Sequence, residues 1–318
     1  MTNPVDNTLT RPVVVGIDDI EHSARAVAAG AREARLRGAP LWLAHAYHWL
    51  PPVVTGVMPG SDSPEGAVRD AATELLARAV ARAHAENPDL DIHDYAMSGQ
   101  PGPGLADLAE HAALLVVGGR GRGGFAGMML GSVALSAAAH ARCPVLVVRG
   151  EGGVDEGGVD DEADPRSPAG HVLVGVDITQ PATGADAIGF AFEEAALRGC
   201  GLRAIHAWED PGYFYPVAIG QYPHETAAEM NSERRRRLDS LLAPWQDKYS
   251  EVHVETQVRI GSPSKLLVGS SRMADLLVLG GRAHSGGGGM RLGGLAHAVL
   301  HHAHCPVVVV PESVVSQS

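Results

Sequence analysis

The chain is short of aromatic side chains, which make up 4% of its 318 residues, and of cysteine, with three. Few aromatics in an Ala- and Gly-rich chain imply that helices pack on sheet through small residues rather than around large rings. Cys143, Cys200 and Cys305 cannot all pair, and no CxxC doublets are present, so neither a disulfide framework nor a zinc ribbon is expected. Basic charge is also scarce: 25 Lys and Arg face 37 Asp and Glu, for a formal charge of −12 and a pI near 5.7. That balance gives no general attraction to nucleic acid or anionic lipid, so any phosphate site must be local. No apolar run is long enough to span a bilayer, and the opening MTNPVDNTLT has neither a basic n-region nor an apolar h-region. The expectation is a cytoplasmic protein that uses no membrane.

What is present is a repeat. VVVGIDD at 13–19 returns as VLVGVDI at 172–178, and LRGAPLWLAHAYHW at 36–49 as LRGCGLRAIHAWED at 197–210. LLVVGGR at 114–120 returns as LLVLGGR, and CPVLVV at 143–148 as CPVVVV, each roughly 160 residues downstream. Self-similarity in fixed order indicates a tandem duplication. The expected organisation is an N-terminal tail at 1–10, a first domain at 11–150, a linker at 151–169, a second domain at 170–312 and a tail at 313–318. The linker, EGGVDEGGVDDEADPRSPA, is acidic and Gly-rich without apolar periodicity, a self-repelling spacer.

Within each copy, short apolar runs alternate with amphipathic stretches, the signature of an α/β fold with parallel strands covered on both faces. In copy one the strands are expected at 12–17, 40–46, 92–97, 113–118 and 144–149. Helices are expected at 23–37, closed by Gly38, at 67–85 and at 104–112, with a fourth starting near Ser132.

The chemistry concentrates in LVVGGRGRGGFAGMMLGS, residues 115–132. Its glycines let a ligand approach the backbone, and the amides ahead of the helix near Ser132 suit an anion. Gly119, Gly121 and Gly124 match GxGxxG, but after the fourth strand and with no acidic residue about 20 positions on, so a dinucleotide site is discounted. No GxxxxGK[ST] loop is present, which removes the lysine of a P-loop. The spacing that fits is Gly118, Gly121, Gly131, Ser132, or GxxGx9G[ST].

That pattern, the VGID end of the first strand and the HxxCPVLVV-like finish at His140–Val148 resemble the universal stress protein family, in its ATP-binding subgroup. The resemblance covers roughly 13–149 and 172–311. It implies two tandem doubly wound, Rossmann-like domains, each with a five-stranded parallel sheet in order 3-2-1-4-5. It also implies pairing through the last strands, either within the chain or in a homodimer. Carried over, Asp18 contacts the ribose end of ATP, the backbone of Ala46 the base, and Gly118, Arg120, Gly121, Arg122, Gly131, Ser132 and Val133 the phosphates, with Mg²⁺ arriving on the nucleotide. Copy two keeps Asp177, Ala207, Gly280 and Gly293, but has Ala283 for Gly121, His284 for Arg122 and Gly294 for Ser132. With GGGG at 286–289 as well, weaker or absent ATP binding is expected there.

The functional expectation is an ATP-binding stress-response or regulatory protein with a regulatory protein partner. Two alternatives remain: a slow ATPase or nucleotidyl hydrolase, for which no general base is evident, and a nucleotide-independent interaction protein. Three further features are read conservatively. His297 and His301 stand at i, i+4 but lack the glutamate of HExxH. The RRRR run at 234–237 reads as a solvated helix face. The Pro- and aromatic-rich segments 49–64 and 208–223 follow each second strand, as lids, partner surfaces or long loops.

Overall fold

The computed structural model describes residues 10–47, 64–119, 130–148, 170–209, 227–283 and 290–312. The linker, both tails and most of the two Pro-rich segments lie outside them. Copy one runs β1 (Val13–Gly16), α1 (Ile20–Arg37), β2 (Leu41–Tyr47), α2 (Pro64–Glu86), β3 (Ile92–Ser98), α3 (Pro101–Leu108), β4 (Leu114–Gly118), α4 (Ser132–His140), β5 (Val145–Val148). Copy two runs β6 (His171–Gly175), α5 (Pro181–Arg198), β7 (Gly201–Trp208), α6 (Ala227–Lys248), β8 (Val254–Ile260), α7 (Pro263–Ser270), β9 (Leu276–Gly280), β10 (Arg282–Ala283), β11 (Met290–Arg291), α8 (Gly294–His302), β12 (Val307–Val310).

Each copy builds a parallel half-sheet in the order 3-2-1-4-5, and the two halves join into one ten-stranded sheet, β3-β2-β1-β4-β5-β12-β9-β6-β7-β8. The junction is the antiparallel pair β5–β12, with Val145 opposite Val309 and Val147 opposite Val307. Successive strand residues point to opposite faces, and both faces are covered, so the strands read as unbroken apolar runs. Val13 and Val15 pack under α1 and α2, whereas Val14 packs with Leu115 under α3 and α4. Copy two repeats this with α5 and α6 on one face and α7 and α8 on the other.

Three helix starts differ from the sequence expectation, α2 beginning at Pro64 rather than at 67. Helix α1 begins at Ile20 rather than Ser23, because Asp19 caps it: its carboxylate accepts the His22 N–H at 2.7 Å. Helix α3 occupies 101–108 rather than 104–112, with Pro101 at N1, where the missing N–H costs nothing. The closing residues behave as expected, Gly38 and its counterpart Gly199 both adopting αL, at φ 58° and 62°.

Where the copies face each other, Glu33 and Arg37 of α1 meet Glu194 and Arg198 of α5. Each arginine bonds the glutamate four residues before it and the glutamate of the other copy, closing a ring of four ion pairs. No side chain of the ring exposes more than 8% of its area. Such buried rings add little net stability, because desolvation of the charges offsets their mutual attraction.

Candidate functional site

Ligands of doubly wound sheets sit beyond the carboxyl ends of the strands, where strand order reverses. In copy one that point lies between β1 and β4. Gly16 ends β1 with glycine for a packing reason: a Cβ there would lie 2.7 Å from Leu105 Cδ1 of α3. Gly175 does the same job in copy two against Leu267 of α7, at 2.9 Å. The chain then turns through Ile17, whose N–H donates to the Ala44 carbonyl at 2.8 Å. Asp18 follows, its own N–H donating to Ser23 Oγ at 3.0 Å. The next residue, Asp19, is the N-cap of α1.

Ala46 sits near the end of β2, opposite Met97 of β3. Gly118 ends β4, and Gly119 is tied to β5 by donating to the Val148 carbonyl at 2.7 Å. Gly131 N–H donates to the Gly119 carbonyl at 2.6 Å, so the chain returns to the strand end just where α4 starts. Gly131, not Ser132, is the N-cap of α4, and no side chain caps the helix. Ser132 and the half-exposed Val133 therefore occupy the first helical turn, among amides with no intrahelical acceptor. The structure thus brings Asp18, Ala46, Gly118, Gly131, Ser132 and Val133 to one end of one half-sheet. Arg120, Gly121 and Arg122 lie outside the described residues.

In copy two the corresponding residues line a single cavity of about 350 Å³ that holds Asp177, Ala207, Gly280, Gly293 and Gly294. Asp177 Oδ1 accepts from Thr179 N–H at 2.9 Å and from Thr179 Oγ1 at 2.6 Å. Helix α8 is N-capped by Gly293, again without a side-chain cap. The segment after β9 folds back on itself, β10 pairing with β11 so that Ala283 lies opposite Met290. His284 and Gly286–Gly289 lie outside the described residues.

Sequence reading missed two contributors. One is a histidine on the second strand of each copy: His45 Nδ1 bonds the Ile17 carbonyl at 2.7 Å, and His206 Nδ1 the Val176 carbonyl at 2.9 Å. Each pins the residue before the aspartate. Burial drives the His206 pKa below its ordinary value, against the opposing pull of Val176 and Asp177, which favours the neutral ring. The signal was visible, since LAHAY and AIHAW place these histidines in register. The other is Arg234. Arg235, Arg236 and Arg237 are exposed and pair with Asp239 or Glu233, as expected of a solvated face. Arg234 instead lies over the Trp208 ring, Cζ 3.8 Å from its centroid, and lines the cavity. The solvated-face reading is corrected for this residue, which stands one turn before the buried Leu238 on the same side of α6.

The His297 and His301 rings lie with centroids 4.4 Å apart, tilted by 33° to each other. Among the described residues no three His, Cys, Asp or Glu side chains converge as a metal site, and no helix is long and apolar enough to cross a membrane.

The universal stress protein family model matches residues 10–149 and again 169–311. The chain belongs to the universal stress protein family. It is similar to two universal stress proteins of Mycobacterium tuberculosis strain H37Rv. Rv2623 is 33% identical over 307 residues, 95% of this chain and 96% of that one. Rv2005c is 33% identical over 309 residues, 95% of this chain and 97% of that one. The crystal structure of a universal stress protein from Archaeoglobus fulgidus DSM 4304 superimposes with a TM-score of 0.66 at 17% identity, covering 96% of this chain and 99% of that chain. The likeness to these family members thus spans both copies, which places the two half-sheets in a tandem universal stress protein architecture.

Proposed function

We propose that this universal stress protein is a nucleotide-dependent stress-response or regulatory protein that holds ATP chiefly in copy one. The observation that supports this most is convergence. Asp18, Ala46, Gly118, Gly131 and Ser132 come from separate elements to the carboxyl ends of three neighbouring strands, in front of a helix start that no side chain caps. In this reading the Asp18 carboxylate accepts ribose hydroxyls and the backbone of Ala46 reads the adenine edge. Glycine amides at Gly118, Gly121 and Gly131, the first-turn amides at Ser132 and Val133, the Ser132 hydroxyl, Arg120 and Arg122 take the phosphates. With no cluster of three acidic or imidazole ligands among the described residues, Mg²⁺ would ride on phosphate oxygens and water. Copy two, through Asp177, Ala207, Gly280 and Gly293, would be a poorer ATP site. A regulatory protein would then read the surface around the occupied site.

The test is nucleotide released from gently purified protein, identified by mass spectrometry, followed by isothermal titration with Mg·ATP. Asp18→Ala combined with Gly121→Ala is expected to weaken ATP at least tenfold, the worth of one hydrogen bond to a charged group. An unchanged affinity refutes the site.

A further inference from the structure

The cavity of copy two differs from its counterpart in having a further arginine, from α6. Copy one is expected to meet a ligand with Arg120 and Arg122 at the phosphate end. Copy two keeps Arg282 at the place of Arg120, has a histidine in place of Arg122, and adds an arginine from α6 at the opposite end, beside Ala207 and Trp208. The site of Arg234 is four residues before the buried Leu238; the position four before the equally buried Leu76 of copy one is Ala72. Trp208 likewise replaces Tyr47.

This end of the cavity is built. The Trp208 indole is buried and held by its Nε1–H, which donates to Asn231 Oδ1 at 2.9 Å. The guanidinium of Arg234 lies on that ring, and its Nη1 also reaches the Met230 carbonyl at 3.4 Å. The Trp208 ring thereby backs the guanidinium, and Arg234 lines the cavity. A guanidinium plane is a stacking surface for a nucleobase. The phosphate end is poorly built by comparison. The hydroxyl of Ser132 is replaced by Gly294, and the Arg282–Ala283 backbone is engaged in a ladder with Met290–Arg291, so hydrogen-bonding groups of that segment are already used.

We infer that copy two is a site for a purine nucleoside, recognised by its base stacking on the Trp208-backed plane of Arg234, with the phosphate chain contributing little. The inference rests on the reading of the strand ends as nucleotide sites and adds a different selectivity for the second. Arg234 is its specificity-determining residue, and the two copies of one chain answer to two ligands, a triphosphate in the first and a nucleoside in the second.

The experiment is isothermal titration of the full-length chain with adenosine and with Mg·ATP, in the wild type, Asp18→Ala, Arg234→Ala and Arg234→Lys. In Asp18→Ala, one adenosine site is expected to remain, and Mg·ATP should bind there no more tightly than adenosine. In Arg234→Ala, adenosine affinity at that site should fall tenfold or more, the scale of losing one base-stacking partner. Arg234→Lys keeps the charge without the plane and should fall as far. Three results overturn the inference: no adenosine site in the Asp18→Ala protein, adenosine affinity unchanged by Arg234→Ala, or full recovery in Arg234→Lys. Failure of the copy-one reading is separate, since it appears as Mg·ATP affinity that Asp18→Ala does not alter. Arg234 is partly exposed on a long helix, and unchanged circular dichroism of both variants secures the fold.

Discussion

Replacing Glu194 by alanine tests what the buried ring between the copies does. In the wild type two guanidiniums and two carboxylates balance, and each group has two partners. Without Glu194, Arg37 keeps only Glu33 and Arg198 keeps only Glu33, and the ring carries one uncompensated positive charge away from water. Removing one member of a buried ion pair costs about 3–5 kcal/mol, most of it the desolvation of the orphaned charge. Removing Arg37 together with Glu194 leaves the neutral pair Glu33–Arg198, so the double variant should lose about 2 kcal/mol less than the two single losses added together. Replacing all four by Leu or Met of similar volume should be close to neutral. Urea unfolding of the full chain measures the cost. Hydrogen exchange then locates it: the bonds cross from α1 to α5, so protection should fall first at the β5–β12 junction. Moderate salt should change little, since buried pairs are weakly screened. A loss below about 1 kcal/mol for Glu194→Ala, or strictly additive single variants, would refute the reasoning.

Two more predictions follow from packing and from protonation. Gly30→Ala normally favours a helix interior by up to about 1 kcal/mol, but here the new methyl would lie 2.2 Å from Val15 Cγ2, on a stiff β-branched side chain. The net effect in urea unfolding should be a loss of about 1–3 kcal/mol, and a more stable variant would disprove the close approach of α1 to β1. For His206, burial lowers the folded pKa below the unfolded value near 6.5, so the folded protein binds fewer protons than the unfolded chain in that window. Its contribution is therefore intact above about pH 6.5 and is lost as pH falls through the window, with a slope of at most about 1.4 kcal/mol per unit. His206→Asn, which keeps a donor for the Val176 carbonyl, should show a smaller drop in urea midpoint between pH 7.5 and 5.5; an identical drop would remove His206 as the cause.

The parallel strands and their helical cover on both faces were legible because each buried strand is an apolar run and each run occurs twice, whereas the strand order came from the family resemblance. Element boundaries were less so. The PGPG of α3 looks like a breaker, yet a proline at N1 starts a helix, and Asp19 outranked Ser23 as a cap because it stands at the turn itself. Of the candidate site, the residues at strand ends and at the start of α4 were expected from the motif spacing together with the family resemblance. Arg234 could not, because its role depends on Trp208, brought beside it from another element by the fold. The ring of four was written as EARLR and EAALR in matching places, but only the antiparallel join of β5 and β12 turns a local i, i+4 pair in each copy into a shared one.

That join also has a consequence for how the two sites can change. A pair of half-sheets held in a homodimer comes apart on dilution, and a substitution in one site appears in the other. Joined in one chain, the halves meet at an effective concentration that dilution does not alter. Each site is present once per molecule, in fixed ratio, and can be edited without editing its twin. The covalent link thus frees one copy to keep its strand-end residues while the other acquires an arginine and a tryptophan of its own.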